Sequence, residues 1–111
     1  MASGVPSNLF ETTFAVGEVV AAEPFPEARK PELAKLDVDL GNEVVQSAAQ
    51  TGYNYDPDDL VGRQVLCATD LGTVNIAGYE SEVLTVGVPD DDGNPVLVGP
   101  DEDVPLGGEL Y

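Results

Sequence analysis

Three of the four cationic residues in this 111-residue chain, Arg29, Lys30 and Lys35, fall between Glu23 and Lys35. The same stretch holds Pro24, Pro26 and Pro31, whose rings fix φ at several points and exclude a regular helix or a central strand. A stiff, exposed corner is expected, on which the Phe25 ring and the donors Arg29 and Lys30 make a contact surface. The ring suits apolar side chains, and the cations suit carboxylates, carbonyls or phosphates. The stretch has no Ser, Cys or His, and it reads as a binding surface with no catalytic group in it.

The rest of the chain offers no catalytic set either. There is no histidine, and Asp and Glu total 21, so no acid pair stands out from the acidic background. No base in the sequence would activate Ser81, and Cys67 reads as a small core residue of a strand. A single cysteine makes no internal disulfide, and without histidine it builds no zinc site. We therefore expect a non-enzyme with no cofactor and no metal. Asp90-Asp91-Asp92-Gly93-Asn94-Pro95 has the look of a calcium loop, but its glycine is one place out of register and no bidentate glutamate closes it. Asp-Gly between Val88 and Val96 reads as a hairpin turn.

Charge constrains the setting. The formal net charge is -17 with 42% hydrophobic residues, a globular composition whose self-repulsion opposes compaction in dilute buffer. At molar salt the Debye length falls to about 3 Å and that repulsion is screened. The acids are scattered over every expected turn and strand face, which points to solvation in concentrated salt, hence a halophilic host, over an acidic patch for a basic partner. No apolar run approaches a membrane helix, and Met-Ala-Ser-Gly-Val-Pro has neither a basic nor an apolar leader region, so no membrane insertion and a cytoplasmic location are expected.

The elements that must position these residues are mostly strands. Residues 1–13 are expected to form an extension, with a short helix capped by Ser7 or Asn8 running through Phe14, and 14–111 a single domain. Phe14 to Ala22 suggests a long strand bent at Gly17. Leu36, Val38 and Leu40 alternate with Lys35, Asp37 and Asp39, a half-buried strand that turns at Gly41-Asn42 into Glu43 to Gln50. Asp56-Pro57 opens a helical turn that Gly62 stops. Val65 to Thr69, Glu82 to Val88 and Val96 to Val98 complete the strands. Leu84, Val86 and Val88 form a second apolar face that a partner subunit would cover. Leu110 and Tyr111 suggest a docked tail. The architecture expected is all-β: a five-stranded OB-fold barrel with a short helix between strands 3 and 4, small terminal extensions, and a dimeric assembly.

Two blocks carry a family likeness. Glu23-Pro24-Phe25-Pro26-Glu27-Ala28-Arg29-Lys30-Pro31 with Lys35-Leu36-Asp37-Val38-Asp39 resembles the first signature of the tRNA-binding-domain family in its CsaA branch of export-related chaperones. Asp58 to Val65, continuing through Ile76-Ala77-Gly78-Tyr79-Glu80-Ser81-Glu82-Val83-Leu84, is similar to the second. The likeness implies a homodimer of OB-folds that binds unfolded or export-bound polypeptides, or else tRNA. Ser81-Glu82-Val83-Leu84 reads as in the chaperone branch, where tRNA-binding modules have Ser-x-Gly-Met. Gly72, Thr73, Val74 and Asn75 stand where relatives place prolines and basic residues.

The expected surface for peptide or tRNA joins Phe25, Arg29, Lys30 and Lys35 to Asn75, Ile76, Tyr79, Ser81 and Glu82, with Ser81 and Glu82 as a hydrogen-bonded turn supporting it. For nucleic acid, Tyr53 and Tyr55 would add stacking platforms, yet four cations make no broad basic track.

Overall fold

Burial at alternate positions along the first three strands, mostly of apolar residues, accompanies one antiparallel sheet. A computed structural model of the chain describes residues 12–110. Its elements are β1 (Phe14–Pro24), β2 (Ala34–Asp39), β3 (Val44–Ala49), α1 (Pro57–Leu60), β4 (Gln64–Ala68), β5 (Val74–Ile76), β6 (Tyr79–Ser81), β7 (Leu84–Thr85), β8 (Gly87–Pro89) and β9 (Pro95–Leu97). The main sheet runs β3-β2-β1-β4-β7, and two further hairpins, β5-β6 and β8-β9, attach to it. The five strands curl into a nearly closed barrel, an OB-like architecture with the expected short helix between its third and fourth strands.

Barrel formation follows from register. β2 buries Ala34, Leu36 and Val38 and turns Lys35, Asp37 and Asp39 outward. β1 is long enough to pair with β2 through its second half and β4 through its first, so it makes the corner. The bend expected at Gly17 lies further on, where the register slips between Val19 and Ala21. Gly17 serves close packing of β1 on β2, because a Cβ there would overlap the Val38 Cγ1 methyl. Leu36, Val38, Leu60, Val65 and Cys67 fill the interior, with Leu60 brought in by α1 as the plug of one end.

The open side of the barrel lies between β3 and β7, and side chains bridge it. Ser47 Oγ and Thr85 Oγ1 share a buried hydrogen bond of 2.8 Å. Burial raises the Cys67 thiol pKa, against a weaker opposing contact from the Thr85 hydroxyl.

Several expectations need correction. Glu82 to Val88 is not one strand: β7 stays on β4, and the chain then swings at Val86 so that β8 pairs with β9. Val98 wedges in between, donating its N–H to Val86 O while its own carbonyl takes the N–H of Leu66. Asp56 occupies the cap position of α1, but its side chain makes no cap hydrogen bond. The hairpin expected at Asp-Gly between Val88 and Val96 does form, with the five residues Asp90 to Asn94 connecting β8 to β9. Asp90 organises it, its carboxylate accepting the N–H groups of Asp92 and Asn94 and an Asn54 side-chain N–H, which holds its pKa below the usual range.

The tail docks as expected, but through its backbone: Gly107 and Leu110 N–H groups donate to Val16 O and Phe14 O at 2.8 Å each, while the Leu110 side chain stays exposed. Gln64 brackets Val104 with both side-chain amide atoms. The helix expected from Ser7 or Asn8 lies outside the described residues up to Glu11, and Phe14, its expected last residue, opens β1. Tyr111 is also outside them. Among the described residues no helix is long and apolar enough to cross a membrane.

Candidate binding site

The proline-rich stretch folds back on itself. Phe25 N–H donates to Leu33 O at 2.8 Å, closing a loop that displays Arg29 and Lys30 and turns the Phe25 ring inward. Phe25 was expected as an exposed apolar contact; it is only 3% accessible. It packs edge-to-face against Tyr79, with ring centroids 5.5 Å apart. The Lys35 ammonium lies 4.7 Å from the Phe25 centroid, 5.3 Å from that of Tyr79 and 3.8 Å from the Glu23 carboxylate. Lys35 is thereby committed to its neighbours. The hollow over this cluster also carries Asp37 and Glu23, which offset the cation.

Tyr79 ties β6 to the barrel by donating its hydroxyl to Leu36 O at 3.2 Å. Burial first, then the carboxylates of Asp37, Glu82 and Glu23, push its pKa up to about 12. An unfolded tyrosine ionises near pH 10, so stability that is full below about pH 10 is lost as pH rises toward about 12. In an alkaline titration Tyr79 should ionise late, near pH 12, and Tyr79→Phe should remove that late step. A titration with no late step for Tyr79→Phe to remove would contradict the packing described.

Ser81 and Glu82 serve the frame. Ala48 N–H donates to Ser81 Oγ at 3.0 Å, and Gln46 N–H donates to Glu82 Oε2 at 2.8 Å, while Glu82 N–H returns to Gln46 O at 2.8 Å. These contacts occupy donors on the outer edge of β3 and pin the β5-β6 hairpin beside it. Ser81 is buried in these contacts, whereas Glu82 remains exposed beside β3.

Between the far end of β3 and the Leu84 to Gly87 segment a cleft of about 750 Å³ opens. Leu33, Ala48, Ala49, Leu84, Val86, Pro95 and Leu97 give it an apolar floor, to which Gln50, Thr51 and Thr85 add polar groups. Asn75, Ile76 and Ala77 make one wall, and Arg29 and Lys30 stand at its rim. The hairpin wall is shaped by a turn in which Ala77 and Gly78 both take positive φ, 49° and 85°, while Asn75 Oδ1 accepts Gly78 N–H. Arg29 and Lys30 have no ion-pair partner among the described residues.

Of the nine residues expected at the site, Arg29, Lys30, Asn75 and Ile76 share this cleft. Phe25, Lys35 and Tyr79 form the adjoining cluster, and Ser81 and Glu82 bind β3. The apolar lining from Leu33, Ala48, Ala49, Leu84, Val86 and Leu97 was missed. The Leu84 to Val88 segment, apolar on both faces and expected to meet a partner subunit, gives Leu84 and Val86 to the cleft and leaves Val88 exposed on β8. The expected stacking rings are in part engaged: Tyr55 OH accepts Leu97 N–H at 2.9 Å and its ring lies 5.1 Å under Arg63, while Tyr53 is exposed.

The chain matches the family model described as "Putative tRNA binding domain" over residues 14–109. It is 38% identical over 104 residues to the methionine–tRNA ligase of Methanocaldococcus jannaschii, covering 94% of this chain but 16% of the ligase. Among solved structures it resembles the chaperone CsaA of Bacillus anthracis, with 32% identity, TM-score 0.81 and coverage of 100% of this chain and 99% of that one. It also resembles the CsaA chaperone protein of Picrophilus torridus, with 30% identity, TM-score 0.84 and coverage of 96% and 99%.

Proposed function

Because the chain belongs to the tRNA-binding-domain family, we propose that it is a polypeptide-binding module of the chaperone kind, without enzymatic activity, holding unfolded or export-bound segments in the cleft between β3 and Leu84 to Gly87. The observation that carries this reading is the cleft itself, whose lining is mainly apolar. Burying exposed apolar side chains of a client there is favourable by about 25 cal/mol per Å² before ordering costs. Homodimerisation is part of the proposal, with the exposed Val88 and Val96 of the β8-β9 hairpin as the apolar strip a second copy would cover. So are a cytoplasmic location and a working environment of molar salt. A scattering mass of 11.6 kDa at high salt would remove the dimer from the account.

The likeness to methionine–tRNA ligases favours a second reading, tRNA or single-stranded RNA on the same barrel. Its difficulty is electrostatic. Phosphate binding draws on several cations and weakens steeply with salt, whereas Lys35 and Arg63 are engaged with rings and only Arg29 and Lys30 stand free of such contacts.

The two readings separate in a single buffer. In about 2 M KCl, where phosphate contacts are heavily screened, the protein should suppress aggregation of an unfolded client and leave tRNA unshifted on a gel. Unchanged aggregation together with a tRNA shift would reverse the assignment.

A further inference from the structure

Among the described residues, acids line three clefts that flank the proposed site. Glu32 and Asp56 border the cleft beside the proline-rich loop, Glu23 and Asp37 the hollow over Tyr79, and Asp101, Glu102 and Asp103 the cleft near Gln64. The cleft between β3 and Leu84 to Gly87 has no Asp or Glu in its lining, and it alone of the four combines an apolar floor with both Arg29 and Lys30. With 21 acids in the sequence, such an interruption is a local reversal of sign.

From this reversal we propose that the cleft selects extended polypeptide segments in which an acidic side chain stands next to apolar ones, an inference that rests on the polypeptide-binding reading above. Strand segments flank the cleft on both sides, and a segment lying between them in extended form presents alternate side chains in opposite directions. Apolar side chains meet Leu33, Ile76, Leu84 and Leu97, and the neighbouring carboxylate meets Arg29 and Lys30 at the rim. An arginine holds a carboxylate through paired N–H donors, a contact that keeps part of its strength when long-range fields are screened.

Salt gives the proposal a distinctive signature. At low ionic strength the field of a chain of net charge -17 repels an acidic segment and attracts a basic one wherever it lands. At about 2 M KCl the Debye length is below about 3 Å, so only contact chemistry discriminates. The preference for acid should therefore emerge as salt is raised, opposite to the behaviour of a charge-steered complex.

The test uses short labelled peptides that share their apolar residues and differ only in bearing Glu, Gln or Lys beside them, titrated by fluorescence anisotropy. In about 2 M KCl the Glu peptide should bind about tenfold more tightly than the Lys peptide. The double variant Arg29→Ser/Lys30→Ser should bind all three peptides alike and retain the wild-type urea midpoint. Equal or tighter binding of the Lys peptide by the wild type at that salt overturns the acidic preference and leaves the polypeptide reading standing. No binding of any peptide overturns both, whether a second copy closes the cleft, read as a doubled mass, or an RNA oligonucleotide binds in its place.

Discussion

In about 3 M KCl the urea midpoint of this domain should lie roughly 1 M or more above its value in about 0.1 M KCl, equivalent to roughly 1–3 kcal/mol at ordinary urea slopes. The reason is the distribution of charge in the fold. None of the described Asp and Glu residues is buried, and the single ion pair among the described residues is Lys35 with Glu23. Repulsion among the acids is thus left almost wholly to the solvent. At about 0.1 M salt the Debye length of about 10 Å lets each acid feel several others, and at molar salt it shrinks to about 3 Å. KCl and NaCl should act alike if screening is the cause. A midpoint that stays flat or falls would show that this surface is not tuned to salt.

The second large effect is expected at the cleft. Leu84 is 52% exposed in β7, so Leu84→Asp should change the urea midpoint little, within about 0.5 kcal/mol. It nevertheless puts a carboxylate into a lining that holds none, beside apolar groups a client would cover. An unpaired charge desolvated by a bound segment costs several-fold to a hundred-fold in affinity, so polypeptide binding in about 2 M KCl should fall by at least about tenfold. Unaltered affinity would move the client to another face of the barrel.

How much of this was legible in the sequence depended on whether the signal was local. The β2-β3 hairpin was readable because Leu36 and Val38 alternate with Asp37 and Asp39 and Gly41 supplies the turn. The α1 position was readable from Asp56-Pro57 and Gly62, although the Asp56 side chain does not cap. The β5-β6 hairpin was not, since Ala77-Gly78 lacks the Asn or Asp that usually marks a turn with two positive φ angles. Nor was the split between β7 and β8, which depends on the distant Val98 strand end inserting its hydrogen bonds at Leu66 and Val86.

The site divides along the same line. Arg29 and Lys30 stood out because cations are rare here, and they do reach the cleft. Phe25 stood out for the same stretch yet turned inward, because its true partner, Tyr79, is more than fifty residues away. Ser81 and Glu82 were identified with a turn; their actual partners, Ala48 and Gln46, lie on a strand that no local pattern connects to them.

The claim that polypeptide occupies the cleft can be examined by photo-crosslinking. A benzophenone is attached through Ile76→Cys in the cleft wall or, as a control, through Val61→Cys beyond α1, outside the cleft lining. Cys67 is buried, and its raised pKa keeps its thiol from competing for the label. Illumination with an unfolded client in about 2 M KCl should yield crosslinks from position 76 and few from position 61. Equal capture from both positions, or capture from position 61 alone, would contradict the account.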